Sequence, residues 1–417
     1  MRHRKRVFFL AATALLVLAA GAAVLIFPHA GPASPSPVGR FYDQSLGLMV
    51  FGSEDGLYYI GGSGFLYYYD YQAGENVVVC HKPNCTHDEW DDDTPDEQRC
   101  DAYLHGRGID VNSAGFVLDG QLYILGQNPV EHTLTLLRCS LDLSRQQQVV
   151  KLPDIDHVDS FWIQDGSLYT AGTTFILEKD ENGFDVISGL TESWLYTLDL
   201  ETGAVTELTE RKKNWNSGLV MAGQAGDALY FAYGYFAEKF DGTNYAEAGE
   251  RTEYYAYHLT DGRWEQIPTR EDQIFFPYGY AVGDTLVGLP CTAESIASGR
   301  TFVQCEMLLW QPDTGWRQGA ETRAIESSVR FLGSKMFYKV EEASGARYYV
   351  YDIETDRVEP LDTQLMTGFY LRWEDDNYFF GFKDDPETGF GLPTLIRKDD
   401  FYAGREEYIT LMWRHKN

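Results

Sequence analysis

Asp165-Gly166-Ser167-Leu168-Tyr169, followed downstream by Trp194-Leu195-Tyr196-Thr197-Leu198-Asp199-Leu200-Glu201-Thr202-Gly203, is the stretch from which the fold can be read. A polar turn containing Gly, a short aromatic strand, and a second strand that runs into a turn signal spell an antiparallel meander. The unit recurs along the chain. Its forms include Asp55-Gly56-Leu57-Tyr58, Asp119-Gly120-Gln121-Leu122-Tyr123, Gly226-Asp227-Ala228-Leu229-Tyr230, Gly283-Asp284-Thr285-Leu286, Lys335-Met336-Phe337-Tyr338 and Asn377-Tyr378-Phe379-Phe380. Seven units at intervals of roughly 40 to 65 residues predict an all-β chain, a seven-bladed β-propeller of four-stranded antiparallel blades. A lone sheet of this size leaves one apolar face in water, whereas radial packing buries each sheet against its neighbours and leaves only short edges.

Composition agrees. The 417 residues are 44% hydrophobic and 15% aromatic, with 28 Tyr and 40 Gly, which suits pleated, half-buried strands joined by tight turns. The formal net charge is −29; residues 1–40 carry five cations and no acid, so the rest of the chain stands at −34. Such a surface repels phosphate backbones and excludes nucleic acid as a partner.

The amino terminus is a separate element. Residues 1–6 form a basic tail with Arg2, Arg4, Lys5 and Arg6, and residues 7–27 contain nothing more polar than Thr13. As a helix this run spans about 31 Å, enough for a hydrocarbon core of about 30 Å. The basic flank predicts a single-pass transmembrane signal-anchor with the tail in the cytoplasm and everything beyond Pro28 outside the cell membrane. The alternative is a cleaved signal peptide and a secreted protein. Residues 28–40 begin with four prolines in ten positions and read as a semi-rigid linker, so the propeller is expected over 41–417.

In a meander of four strands, the loop between strands two and three and the connection to the next blade leave the same edge. Here that edge receives the long segments 80–110, 171–193, 232–253, 292–304 and 383–393, read as loop insertions, while the opposite edge has tight turns. Function on rigid scaffolds concentrates on elaborated loops. Arg211, Trp215, Tyr235, Phe236 and Phe276 fall in or beside these segments and are the candidate ligand-binding residues, with aromatic platforms and a cation suited to a glycan or a protein partner.

The sharpest local signal is Cys80-His81-Lys82-Pro83-Asn84-Cys85-Thr86-His87 with Cys100 and the following Ala102-Tyr103, in the first inter-blade insertion, 80–110. Three thiolates and an imidazole, Cys80, Cys85, His87 and Cys100, form a closed tetrahedral set of the structural zinc type. Oxidation of the thiols in an exported chain is the competing reading. The stretch resembles the C-x4-C-x-H…C-x-A-Y segment of uncharacterised, N-terminally anchored, extracytoplasmic propeller-like proteins of Gram-positive anaerobes. Elsewhere, Cys291 and Cys305 flank one insertion as a disulfide candidate, and Cys139 reads as a small buried hydrophobe.

The turn Asp199-Leu200-Glu201-Thr202-Gly203 resembles repeats of several propeller families, quinoprotein dehydrogenases among them, although Asp, Thr and Gly are also what a plain turn requires. No nucleophile elbow, HExxH, P-loop or dinucleotide fingerprint occurs. The expectation is a ligand- or partner-binding propeller rather than an enzyme, the alternative being a glycan-active or quinone-dependent enzyme on the same scaffold.

Overall fold

The computed structural model describes residues 40–43, 50–109, 113–128, 133–153, 155, 158, 160–239, 249–269, 274–291, 307–320, 329–342, 345–389 and 391–411. Strands dominate. Four free-standing, four-stranded antiparallel sheets run through Val50–Gly52, Gly56–Ile60, Leu66–Asp70 and Glu75–Val78; Ala114–Leu118, Gln121–Asn128, Thr133–Ser140 and Gln146–Pro153; Arg330–Leu332, Lys335–Glu342, Gly345–Asp352 and Arg357–Leu361; and Phe369–Glu374, Tyr378–Asp384, Gly391–Arg397 and Tyr408–Thr410. Three further meanders are linked into one thirteen-stranded sheet. They run through Ser160–Gln164, Ser167–Lys179, Asp185–Asp199 and Val205–Glu207; Lys212–Ala225, Ala228–Phe236, Glu250–His258 and Trp264–Ile267; and Ile274–Val282, Thr285–Cys291, Leu308–Gln311 and Gly315–Gln318.

Each meander pairs its strands strictly in chain order, so its sheet is built from contiguous sequence. The cores lie between sheets, not within them. Phe116 and Leu136 of one meander meet Phe161 and Tyr196 of the next; Trp162 and Leu195 meet Phe231 and Tyr255; Tyr280 and Val287 meet Phe331 and Tyr351. The first and last sheets also share a core, in which Tyr59 and Tyr67 pack with Tyr378, Phe380 and Leu395. These strands alternate large apolar side chains to both faces because both faces are covered, which is why Tyr59, Tyr67, Tyr196 and Tyr254 are entirely buried.

The turn at Asp165-Gly166 takes positive φ at both positions (50° and 73°), as does Asp119-Gly120 (49° and 70°). Such a two-residue connection matches the right-handed twist of the strands it joins, and a β-branched residue at either position would strain it. The Asp199 turn is likewise structural. The Asp199 carboxylate accepts from the Glu201 and Thr202 amides and the Thr202 hydroxyl at 3.1, 2.7 and 2.7 Å. Those hydrogen bonds, the Thr202 amide first, hold its pKa down. Its chemistry is that of a strand connection, with Oδ1 facing three local donors.

Several expectations are corrected. Segment 171–193 is not a loop: Ser167–Lys179 and Asp185–Asp199 form one long hairpin closed by a turn at Asp180–Gly183. Residues 232–236, 250–253, 383–384 and 391–393 also extend strands. Sheet pairing continues because these segments satisfy their backbone groups across the hairpin, which closes on a local turn where Asp180 Oδ1 accepts from the Asn182 and Phe184 amides at 2.8 Å each. Arg40–Asp43 is a strand, paired antiparallel with Ser160–Ile163 on the otherwise free edge of that meander. Among the described residues no helix is long and apolar enough to cross a membrane; the apolar run 7–27 lies outside the described residues.

Candidate metal centre and the insertion-bearing edge

The chain leaves strand Glu75–Val78 at buried Val79 and enters the insertion at Cys80. Two non-glycine residues with left-handed backbone, Asn84 (φ 61°) and His87 (φ 56°), reverse its direction twice within eight residues. Asn tolerates this region better than most residues, so the reversals bring Cys85 and His87 back onto Cys80. The segment then returns to its own sheet: Phe65 bridges Tyr103, the Leu66 amide donates to the Ala102 carbonyl at 2.9 Å, and the Leu104 amide donates to the Gly64 carbonyl at 2.9 Å.

At the centre, one ligand atom each from Cys80, Cys85, His87 and Cys100 lies within 4.8 Å of all the others. His87 Nδ1 is 3.4 Å from Cys100 Sγ. A zinc ion with Zn–S of about 2.3 Å and Zn–N of about 2.0 Å makes tetrahedral edges of about 3.5 to 3.8 Å, so the donor set fits such an ion with small adjustments. The four residues sequence reasoning singled out are therefore brought together and could hold a metal ion. Burial raises the Cys100 and Cys80 thiols above their ordinary pKa, so a metal must displace their protons.

The surroundings support the donors. Asp101 is buried and accepts from His81 Nδ1 at 2.7 Å, with Lys82 Nζ and Arg107 Nη2 each at 3.6 Å. Its carboxylate also stands 3.9 Å from Cys80 Sγ. A Cys3His set around a divalent ion carries a net charge of −1, and the two cations beside it offset that charge. Trp90 closes the outside of the cluster. Its Nε1 donates to the Cys100 carbonyl at 2.9 Å, and its ring lies 4.8 Å from the Arg99 guanidinium carbon and 6.0 Å from that of Arg107. Arg99 also ties the acidic run, donating from Nε to the Thr94 carbonyl at 2.7 Å and from Nη2 to the Asp92 carbonyl at 2.8 Å.

The insertion leaves the same edge as the long hairpin of the third meander. Along that hairpin Leu190 to Ser193 pair with Trp215 to Lys212, which joins it to the following meander. The junction is buried and polar: Thr191 Oγ1 lies 2.7 Å from Ser217 Oγ and accepts from the Ser217 amide at 2.6 Å. Beyond it the tip exposes Leu177, Phe184 and Val186, at 46%, 61% and 37%.

The predicted ligand-binding residues are distributed differently from the expectation. Arg211 lies not on Trp215 but over the Trp194 ring at 3.9 Å, with Nη2 2.6 Å from Glu207 Oε1. Trp215 is half-buried, pairs with Phe236 across the ladder and receives Lys239 Nζ at 5.6 Å from its ring. Phe236 is buried, and Tyr235 donates to Glu253 Oε1 at 3.1 Å. Phe276 is placed in strand Ile274–Val282. Lys212, in the basic run Arg211-Lys212-Lys213 beside Trp215, anchors a polar network on this edge. Its Nζ pairs with Glu253 Oε2 at 3.1 Å, touches the Tyr255 hydroxyl and lies 4.0 Å from the Tyr255 ring. The signal for it was the alternation Glu253-Tyr254-Tyr255, which puts the acid and the phenol two apart on one face. Cys291 ends strand Thr285–Cys291, and Cys305 lies outside the described residues, as does their predicted disulfide. Cys139 is buried, and burial pushes its thiol up to about 12. His258 sits at a strand end between Asp227 (3.4 Å) and Glu265 (3.1 Å).

No family model and no curated protein sequence matches this chain. Among solved structures, puromycin hydrolase is similar at 11% identity and a TM-score of 0.51 over 93% of this chain and 57% of that one. The chain thus spans just over half of that enzyme, and the likeness is one of fold. Oligogalacturonate lyase in complex with manganese matches at 14% identity and 0.47 over 82% of this chain and 85% of that one. The β-propeller domain of the Trilobed protease from Pyrococcus furiosus matches at 9% identity and 0.44, covering 91% and 97%.

Proposed function

We propose that the chain is a membrane-anchored, extracytoplasmic, seven-bladed propeller that binds a glycan or protein ligand on the edge from which its long hairpins rise. A structural zinc ion on Cys80, Cys85, His87 and Cys100 pins the first insertion to that edge. The observation that carries the reading is the gathering of the Cys/His insertion and the apolar hairpin tip on one edge of an acidic, all-β scaffold. Three exposed large apolar side chains at one tip are costly in water unless something covers them. The seven-bladed count is supported by the unbroken succession of inter-sheet cores, from the first meander to the last and back to the first. Among the described residues the first and last sheets are joined by side chains: Tyr71 donates to Asp375 and stacks on Tyr378 at 4.8 Å, and Trp373 abuts Gly52. The anchor rests on the basic-flanked apolar run at 7–27.

The test is a glycan array probed with the full chain in detergent, with capture of proteins from the cell envelope as its second arm. A ligand is expected whose affinity falls at least about ten-fold (about 1.4 kcal/mol) in the double variant Leu177→Ser, Phe184→Ser. Binding that survives those changes, or turnover of a bound glycan, overturns the reading in favour of another face or of an enzyme.

A further inference from the structure

The chain joins its first-strand partner at Arg40–Asp43 along one defined line. These residues pair antiparallel with the first strand of the third meander, Arg40 opposite Ile163 and Asp43 opposite Ser160. That first strand uses its other edge for the long hairpin, with Gln164 opposite Ser167 and Phe161 opposite Thr170. The added segment therefore takes the edge that a first strand leaves open, a row of backbone donors and acceptors that four residues in register can satisfy. On the seven-bladed reading, first strands line the axis of the ring. The segment then joins the scaffold at its centre.

The direction of pairing fixes the side from which the chain arrives. Ile163 lies beside the tight turn Asp165-Gly166, whereas at Ser160 the neighbouring strand has passed Thr170 and continues to the hairpin tip at Lys179. Because the pairing is antiparallel, the chain runs from Arg40 at the tight-turn end to Asp43 at the hairpin end. Whatever precedes Arg40 thus comes from the tight-turn edge, opposite the exposed tip at Leu177 and Phe184.

Length makes that direction binding. The hairpin strand Asp185–Asp199 has 15 residues, which at about 3.3 Å each sets the tip about 45–50 Å from the tight turns. Residues 28–39 separate the apolar run from Arg40, and a fully extended chain of that length spans at most about 43 Å. With the tip against a bilayer, this segment would have to climb the whole hairpin to reach Arg40, and it falls short. With the tight turns toward the bilayer it suffices.

We propose that the pairing of Arg40–Asp43 holds the propeller with its tight-turn edge toward the membrane and its insertion-bearing edge pointing away. The ligand of that edge is then one presented from beyond the bilayer, not a lipid headgroup. This orientation rests on the anchored reading given above and adds a direction to it. Charge agrees, since the chain beyond residue 40 stands at −34 and an anionic headgroup surface repels it.

The test is energy transfer from a dye on the full chain, held in lipid nanodiscs, to an acceptor on the lipid headgroups. The dye sits on an azide-bearing residue introduced at Glu181 of the hairpin tip or at Glu201 of a tight turn, both exposed and both in the third meander. Transfer is expected from Glu201, and none from Glu181 above that of a free dye in solution. Replacing Phe41 and Tyr42 together with Pro removes the amide that faces Ser160–Ile163, since successive residues of a strand alternate in their pairing. The tether then runs on to Val50, and the difference between the two sites should shrink to half or less. Equal transfer from both sites, greater transfer from Glu181, or a contrast unchanged in the Phe41→Pro, Tyr42→Pro variant overturns the proposal. Protein that stays out of the nanodiscs and shows a new amino terminus by mass spectrometry overturns the anchored reading itself, and the orientation with it.

Discussion

Two insertions leave the same edge of this molecule and reach order by different means. Segment 80–109 has little regular structure beyond one helical turn at His105–Arg107, and its order converges on four ligand side chains. The hairpin 167–199 has no such centre; its order is a continuous ladder from Ser167↔Asp199 to Lys179↔Asp185 with one bulge. A ladder satisfies each backbone group as it extends and can carry an exposed tip far from any core. An irregular loop leaves backbone groups to be answered one at a time. The Cys/His insertion does so with side chains, Lys82 donating to the Asp96 and Arg99 carbonyls at 3.1 and 2.6 Å. Order that depends on a few side chains should fail all at once, whereas ladder order should fray from the tip.

The largest effect is expected from Cys100→Ser. It should remove all bound metal, about one equivalent by elemental mass spectrometry, and expose 80–109 to hydrogen exchange and proteolysis while the hairpin keeps its protection. An insertion that stays protected in metal-free protein would break the contrast. Trp90→Ala comes next. It removes the ring between Arg99 and Arg107 and the donor to the Cys100 carbonyl, and should destabilise the insertion by about 2 kcal/mol, below the 3–5 of a fully buried aromatic.

On the hairpin side, Thr191→Val leaves the buried Ser217 amide without its acceptor and the Ser217 carbonyl without its hydroxyl donor and should cost about 1–3 kcal/mol, read by denaturant unfolding. Glu253→Gln sharpens the same junction through pH. Burial pushes the Glu253 carboxyl up, but hydrogen bonds from Tyr255 and Lys212 outweigh it and hold the pKa below the ordinary 4.5. Its contribution is therefore present above that value and is lost as pH falls through the depressed one. The wild type should lose the stability difference over the variant in that acid window, as followed by Tm against pH. The smallest change in stability, within about 0.5 kcal/mol, is expected for Phe184→Ser at the exposed tip, even as ligand affinity falls.

Much of this was legible before any coordinates. The Asp-Gly turns, the aromatic strands and the recurrence of the unit encode the meanders, because hairpin turns and two-residue alternation are local properties of the chain. The set Cys80, Cys85, His87 and Cys100 was legible for the same reason: three of the four lie within eight residues. What the sequence could not decide is non-local. Continuation of the ladder through Thr173 to Lys179 depends on a partner strand arriving in register, and pairing of Arg40–Asp43 with Ser160–Ile163 joins segments far apart in the chain. Arg211 chose Trp194 over the nearer Trp215 because cross-strand neighbours, not sequence neighbours, share a face. Only packing decides which charges meet, as where Lys212 Nζ reaches Glu253 Oε2 at 3.1 Å from a strand distant in sequence.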